Sequence, residues 1–566
     1  MDRLIRRQVN HELPGVSPLL NRLFAGRGIV DPNDLDSSLA GLLPPVSFRG
    51  MSDSVALLLE AVTSAQRILI VGDFDADGAT SSALMVSGLK SLGARHVDYL
   101  VPDRFKFGYG LTPEIVAASA DLSPDLIVTV DNGISSIEGV EAAVNRNMKV
   151  VVTDHHLAGD TLPAAHAILN PNQPGCMFPS KALAGVGVAF YLLSALRSSL
   201  REMGWFKKAE PNLADYLDLV ALGTIADVVP MDKNNRILVS EGLRRIRAGR
   251  ARPGIYALIS VSGADYRQIT SRNLAFGVAP RLNAAGRLEN MSLGIECLLA
   301  DGEHAVELAD HLEELNKERK SIEAEMKVQA QEYIGRHDAI GQNEFDVGVC
   351  LFHPEWHQGV VGIIASRIKD QLHRPVIAFA KASDSELKGS ARSIPGLHIR
   401  DALDTIAAKN PGVLVKFGGH AMAAGLSIKP GNFEKFQQLF NLEAERRLSQ
   451  EDLERVLISD GEIEETKSLA LAREVIEAAP WGSGFPEPVF DGEFEVIDQR
   501  IVASKHLKLK LRPLNEDNII EAIAFNQNRL LEQRQLRLAY RLDINHFRGR
   551  DSVQLIVESV AVALEL

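Results

Sequence analysis

The chain has 566 residues, which at ~150 residues per domain implies about three or four domains. Its 46% hydrophobic and 24% charged residues sit at the globular average and exclude wholesale disorder. Lys and Arg total 61 against 74 Asp and Glu, a net charge of −13, so the chain is not coated in positive charge as a histone-like packer is. A local basic stripe, or a bound metal, still permits nucleic-acid binding. Cys176, Cys297 and Cys350 stand far apart with no CxxC, which argues against a zinc ribbon or disulfide framework and for a reducing compartment. The start, MDRLIRRQVNHELPG, lacks the apolar run of a signal peptide, and no stretch approaches the ~18 apolar residues of a membrane span. The expectation is a cytoplasmic protein with no membrane association.

Residues 1–50 read as a helical appendage punctuated by Pro14, Pro18, Pro32 and Pro44-Pro45. A catalytic-type domain is predicted over 51–300. In it, RILIVG (67–72), DLIVTV (125–130) and KVVVT (149–153) are short apolar strands separated by helical stretches. Such strands predict the α/β class, with a parallel sheet covered on both faces and ligands at the strands' carboxyl ends. All three strands end in acidic or imidazole residues. Residues 301–340 predict one long charged connector helix, with Leu308, Leu312, Leu315, Ile322 and Met326 at helical spacing. A second, smaller α/β domain is expected over 341–455, with strands at FDVGVCLF and PVIAFA and two glycine-bearing loops, KGSARS and KFGGHAMAAG. The remainder, 456–566, carries HLKLKLR (506–512) and LRLAYRLDI (536–544) and predicts a small β-barrel.

The densest chemical signal is GDFDADG, which sets Asp73, Asp75 and Asp77 at alternate positions directly after a strand. Three such carboxylates repel one another unless a cation joins them. D-x-D-x-D-G also opens an EF-hand, but position 12 is Leu84 rather than Glu, and a strand rather than a helix precedes it. Asp131 in TVDNGIS, Asp154-His155-His156 in VTDHHLAGD and Asp227 in LGTIADVVP add further donors. Carboxylates with one or two imidazoles and no thiolate suit Mn²⁺ or Mg²⁺. Two ions sharing an Asp are a standard means of in-line phosphodiester hydrolysis.

GDFDADG, VDNG, TDHH and GTIADVV, in this order, resemble the DHH phosphoesterase superfamily. RLNAAGR (281–287), WHQGVVGIIASR (356–367) and FGGHAMAAG (417–425) narrow the resemblance to the bacterial RecJ exonucleases. It implies a DHH catalytic domain, a DHHA1-type substrate-binding domain and an OB-fold-like single-strand-binding barrel. It also implies 5′-to-3′ hydrolysis of single-stranded DNA to mononucleotides with Mn²⁺ or Mg²⁺, in DNA repair and recombination. A RecQ-type helicase and a single-strand-binding protein are the partners it suggests. Carried over by position, Asp75, Asp77, Asp131, His155 and Asp227 hold metal, with Asp131 as the bridge and Asp73 a ligand or its close partner. On the same resemblance, Asp154 orients an imidazole and His156 faces substrate.

An acidic site needs positive groups from elsewhere to hold DNA. VPDRFKFGYG interleaves Arg104 and Lys106 with Phe105, Phe107 and Tyr109, offering phosphate contact and base stacking. Phe74, inside the metal loop, is a stacking candidate for a terminal base. Arg281, Asn283 and Arg287 in RLNAAGR, and His357 in WHQGVVGIIASR, join the expected DNA-binding set. So do Ser390 and Arg392 in KGSARS, together with Arg104 as a seat for a 5′-phosphate, and Gly418, Gly419 and His420 in FGGHAMAAG. Between 497 and 550 there are eleven Lys and Arg, including Lys505, Lys508 and Lys510, against six Asp and Glu. With Phe525, Tyr540 and Phe547, this local reversal of charge suits a barrel that grips single strands. Two other readings compete: a DHH phosphodiesterase of short RNA or cyclic dinucleotides, which the extra barrel disfavours, and a non-catalytic DNA-binding scaffold, which the intact acidic set disfavours.

Overall fold

Alternation decides the architecture of the first domain. In the strand Arg67–Val71, Ile68 and Ile70 face one core while Leu69 and Val71 face another. Successive side chains on a strand point to opposite faces, so apolar residues at every position require cover on both. The computed structural model describes residues 3–103, 109–339, 346–547, 549–560 and 563–564. It places five parallel strands in the order His96–Leu100, Arg67–Val71, Leu126–Val130, Lys149–Thr153, Ala167–Leu169. Helices Met51–Thr63, Ala76–Ser91 and Gly185–Glu202 cover one face, and Pro113–Ala118 with Ile137–Val144 covers the other.

The helix Gly302–Ala339 is 38 residues long, or ~57 Å at 1.5 Å per residue. It does more than connect. Leu308, Leu312 and Leu315 belong to the core of the first domain, whereas Met326, Ala330 and Ile334 pack with Trp356, Val360 and Ile364 of the second. The second domain's mixed sheet runs Leu414–Gly419, Ala423–Ile428, Glu386–Arg392, Val376–Ser383, Val349–Phe352. KGSARS, expected as a loop, lies in the strand Glu386–Arg392 and its immediate exit. Its glycine serves packing: a Cβ on Gly389 would fall 2.5 Å from the ring of Phe379. KFGG and AAG (423–425) likewise lie in the facing strands of a hairpin.

The last five long strands, Phe490–Val502, His506–Pro513, Ile520–Ala524, Gln535–Phe547 and Arg550–Val560, close into a barrel through a parallel pairing of Ile520–Ala524 with Arg550–Val560. The first residues, read as helical, begin with a strand. Arg3–Arg6 lies between Val456–Ser459 and Ala563–Leu564, parallel to both, and clips the chain's opening to its final domain. Arg6 and Arg537 both bond the buried Asp491, at 2.7 and 2.8 Å. No helix among the described residues is long and apolar enough to cross a membrane.

Candidate metal centre

Three strand ends and one helix end converge on a single cluster. Asp75 caps the helix Ala76–Ser91, its Oδ1 accepting from the Asp77 and Gly78 N–H groups at 3.0 Å each. That cap turns Asp77 inward, where it accepts from the N–H groups of Gly185 (2.6 Å) and Val186 (3.0 Å) at the start of the helix Gly185–Glu202. Asp131 ends its strand in the left-handed region (φ 61°), which Asp tolerates better than most residues, and its carboxylate is thereby directed into the cluster. Asp227 comes from the C-terminal end of the helix Leu217–Ala226. Two glycines make room: a Cβ at Gly185 would lie 2.6 Å from Asp131 Cβ, and one at Gly223 would lie 2.7 Å from Asp77 Oδ1.

Within this cluster, three groups have donor atoms all within 4.8 Å of one another: Asp73, Asp75 and Asp131; Asp77, His155 and Asp227; and Asp131, His155 and His156. Asp131 belongs to two of them. Asp131 Oδ1, His155 Nε2 and Asp227 Oδ2 are buried and make no hydrogen bond, although Nε2 lies 3.1 Å from the first oxygen and 3.4 Å from the second. Buried polar atoms aimed at one another without bonding cost free energy, and a cation among them removes that cost. Burial, then repulsion from Asp77, pushes Asp131 and Asp227 well above the usual carboxylate range, and burial followed by Asp75 brings Asp77 up to about 7. Burial and the neighbouring His156 push His155 down to about 4, leaving a neutral ring suited to ligation. The donor set of carboxylate oxygens and imidazole nitrogen fits Mn²⁺ or Mg²⁺.

Asp154 stands behind this layer. Its Oδ1 takes the N–H groups of His155 (2.7 Å) and His156 (3.1 Å) and pairs with His156 Nδ1 at 2.7 Å, while Oδ2 accepts from Ile134 N–H. Burial lowers the affinity of His156 for a proton, but Asp154 overrides it and holds the ring up to about 9. Tyr109 has its hydroxyl 3.2 Å from His156 Nδ1 and 3.3 Å from the Asp131 carbonyl, so it stands at the metal cluster. Arg104, Lys106, Phe105 and Phe107 lie outside the described residues. Sequence reasoning missed Asn170 and Asn172, whose amides donate to the His156 carbonyl (2.9 Å) and the His155 carbonyl (2.6 Å). The signal was an Asn-Pro-Asn directly after the apolar run AHAIL.

Within RLNAAGR, Arg281 departs from the phosphate contact expected of it, and Asn283 and Arg287 each have a backbone partner. It lies on the helix Ala279–Leu288, after a π-helical turn over Leu274–Val278. Arg281 is buried, bonded to the Gly277 and Val261 carbonyls and to Glu313 of the long helix at 2.7 Å, so its charge is spent inside the protein. Asn283 Oδ1 accepts from Ala76 N–H (3.0 Å), at the metal loop itself. Gly286 lets the loop approach, since a Cβ there would fall 1.9 Å from the Phe74 carbonyl. Arg287 donates to the Gly359 carbonyl (2.9 Å), in the same second-domain segment in which His357 Nδ1 accepts from Gly359 N–H.

Arg392 and Ser390 lie side by side (3.1 Å) near the start of the helix Val361–Leu372. A Cβ on Gly362 would be 2.9 Å from each. No carboxylate pairs with Arg392 among the described residues, and burial lowers its proton affinity. Gly419 (φ 144°) turns the chain so that His420 stacks over His156 at 6.1 Å. On the barrel, Lys508 pairs with Glu521 (2.9 Å) and Lys510 stands 3.6 Å from Asp498, while Lys505 lies just after the Ala503–Ser504 turn. Phe525 is half exposed, but Tyr540 is in the barrel core and is unavailable for stacking. The Phe547 side chain lies outside the described residues.

A parallel sheet whose strand ends gather Asp and His at metal-ligating distances, faced by a second domain that presents Arg392 beside a helix start, defines a DHH-type phosphoesterase. Residues 67–224 match the DHH family N-terminal domain, 345–446 the DHHA1 domain and 460–559 the RecJ OB domain. The single-stranded-DNA-specific exonuclease RecJ of Dickeya dadantii is 54% identical over 557 residues, covering 97% of this chain and 96% of that protein. Its counterpart in Escherichia coli is 50% identical over 571 residues, 99% of each. The crystal structure of RecJ with Mn²⁺ from Thermus thermophilus superimposes with a TM-score of 0.78 at 30% identity, covering all of this chain and 80% of that one. The chain belongs to the RecJ family of single-stranded-DNA-specific exonucleases.

Proposed function

We propose that this protein hydrolyses single-stranded DNA from the 5′ end to mononucleotides, with Mn²⁺ or Mg²⁺ held by Asp75, Asp77, Asp131, His155 and Asp227 and with Asp73 at its edge. The carrying observation is the meeting of Asp131 Oδ1, His155 Nε2 and Asp227 Oδ2 without hydrogen bonds in a buried cluster. Divalent ions, when bound, supply Lewis-acid chemistry, acidifying water and neutralising phosphate charge.

The chain's own residues do the rest. Asp131, shared by two donor groups, holds the two halves of the cluster in register. Asp154 fixes the His156 ring, which at neutral pH is a cation directed toward the second domain and suited to a phosphate oxygen or leaving group. Arg392 and Ser390, with a helix N-terminus beside them, receive the 5′-phosphate, which makes a free end necessary and sets direction. The domain boundaries of this reading are 51–300, 301–340, 341–455 and 456–566, after the 1–50 segment. Its setting is the cytoplasm, in repair and recombination beside a RecQ-type helicase and a single-strand-binding protein.

The test is product release from 5′-labelled and 3′-labelled single strands, against duplex and RNA, with Mn²⁺. Early release of labelled mononucleotide from the 5′-labelled strand alone, abolished by chelator, is the expected result. Cleavage confined to very short RNA moves the protein to the oligonucleotide phosphodiesterases, and binding without hydrolysis to the scaffold reading.

A further inference from the structure

The pairing of the strands Lys149–Thr153 and Ala167–Leu169 stops just short of the two histidines. Its last partners are Thr153 and Leu169, and one further backbone bond, from Asp154 N–H to the Leu169 carbonyl at 3.1 Å, closes it. Pro171 then ends the strand, since it has no N–H to add to a ladder. Side-chain amides take over from there. Asn170, fully buried, donates from Nδ2 to the His156 carbonyl at 2.9 Å, and its Oδ1 accepts from Asn172 N–H at 2.7 Å. Asn172 donates from Nδ2 to the His155 carbonyl at 2.6 Å and to the Lys181 carbonyl at 3.2 Å. Lys181 in turn donates to the Pro171 and Cys176 carbonyls, at 2.6 and 2.8 Å, and so closes the loop on itself. The same stretch runs on into Gly185 and Val186, whose N–H groups hold Asp77.

We propose that residues 170–186 are a brace that sets the geometry of the metal cluster, in which Asn172 is a positioning residue for His155, Asn170 one for His156, and Lys181 the pin that locks the loop. This role rests on the metal assignment made under the proposed function and adds the residues that hold its imidazoles in place. Asp77 and His155 share a donor group with Asp227, and the brace reaches both of them, whereas Asn170, Asn172 and Lys181 are in no donor group. They act through main chain. A peptide unit that turns carries its side chain with it, so releasing the His155 carbonyl moves Nε2 from its place between Asp131 and Asp227. The requirement is for a donor of the right reach: a carbonyl that has left the sheet needs an N–H, and an amide on a one-carbon stem supplies it where Pro171 cannot.

The test measures Mn²⁺ binding by calorimetry, and melting temperature in chelator, on the full chain. Asn172→Ala and Asn172→Leu, the second of which keeps the side chain's shape without its donor, are each expected to weaken Mn²⁺ binding about 10- to 100-fold. Lys181→Met removes a cation, which by Coulomb's law alone favours a bound metal ion, so the fall of about 10-fold expected of it reports the loss of the brace. Lys181 is exposed, so this variant keeps the test readable where a change at the buried Asn170 costs the fold. On single strands, the kcat deficit of Asn172→Ala is expected to shrink as Mn²⁺ is raised, and that of Asn170→Ala to persist. A lowered metal-free melting temperature with unchanged Mn²⁺ affinity in the Asn172 variants marks packing alone and overturns the brace, as does tighter Mn²⁺ binding by Lys181→Met. Wild type is titrated separately: if it binds no Mn²⁺, the metal assignment falls and the brace with it, whereas binding by wild type and equally by every variant overturns the brace alone.

Discussion

The imidazole rings of His156 and His420 stack 6.1 Å apart with an interplanar angle of 19°, one from a strand end of the first domain and the other from the hairpin of the second. They differ in charge at neutral pH. His156 is held up to about 9, against its burial, by Asp154, whereas burial and the charge of His156 lower His420. On the proposed function, a phosphate held between the two domains would meet both rings. His420→Ala is therefore expected to cut kcat on single strands by about 10²-fold. Mn²⁺ affinity, read by calorimetry, is expected to stay near wild type, because His420 is in none of the donor groups. An equal loss of metal affinity contradicts this assignment.

Asp131→Asn separates the cluster's two energetic faces. Asn tolerates the positive φ, and the change removes one charge from a buried, mutually repelling set. The metal-free variant is expected to melt above wild type, by the equivalent of ~1–2 kcal/mol. Mn²⁺, which stabilises wild type by binding only the folded state, is expected to raise its melting temperature little. Scanning fluorimetry with and without Mn²⁺ reads both signs.

Asn283→Ala removes the acceptor for Ala76 N–H at the metal loop. The expected outcome is a fall of about 10- to 100-fold in Mn²⁺ affinity or activity, the usual cost of losing a group that supports the ligands. Gly286→Ala pushes directly on the Phe74 carbonyl and is expected to do more. Loss of DNA affinity with metal affinity intact is the result that returns Asn283 to the DNA-binding set.

Arg281 and Arg392 are expected to fail in different ways. Arg281→Ala leaves Glu313 and two carbonyls without their partner in a largely buried site, and is expected to destabilise the protein by ~3 kcal/mol without altering the salt dependence of DNA binding. Arg392→Ala is expected to leave stability nearly unchanged, erase any preference for 5′-phosphorylated ends and reduce the salt slope by about 1. Melting curves and salt titrations of the two variants distinguish these outcomes.

Glu443, buried on the helix Phe433–Arg447, accepts from Arg446 (2.6 and 3.0 Å) and Arg447 (2.5 Å), and the hydrogen bond from Arg446 leads in holding it down to about 2. A carboxyl lowered in the folded state adds stability that is complete above its unfolded value of ~4.5 and is lost as pH falls toward 2. The melting-temperature gap between wild type and Glu443→Gln is therefore expected to be constant above pH ~5 and to narrow below it. A gap independent of pH down to about 3 refutes the assignment.

Much of the chemistry was legible in the sequence because it depends on local order. Apolar runs ending in Asp or His announce a parallel sheet with a ligand site at its carboxyl edge, since a strand buried on both faces does not carry charged residues in its interior. The edge strand His96–Leu100 was not legible, because its exposed positions break the apolar run, and Ala167–Leu169 is too short to stand out. The clip made by Arg3–Arg6 pairs residues some 450 positions apart, which no local pattern reports.

What the sequence determined by itself is the set of acidic and imidazole side chains that meet in the cluster and the order of domains, because residue type and alternation are properties of short segments. Only the tertiary structure decided which of the other polar residues are taken up by partners inside the protein. Arg281, Asn283 and Tyr540 look like DNA-binding residues in isolation, yet a buried carboxylate, a backbone N–H of the metal loop and a barrel core claim them first. A side chain's partner is whichever group the fold brings nearest, and burial makes that pairing hard to exchange.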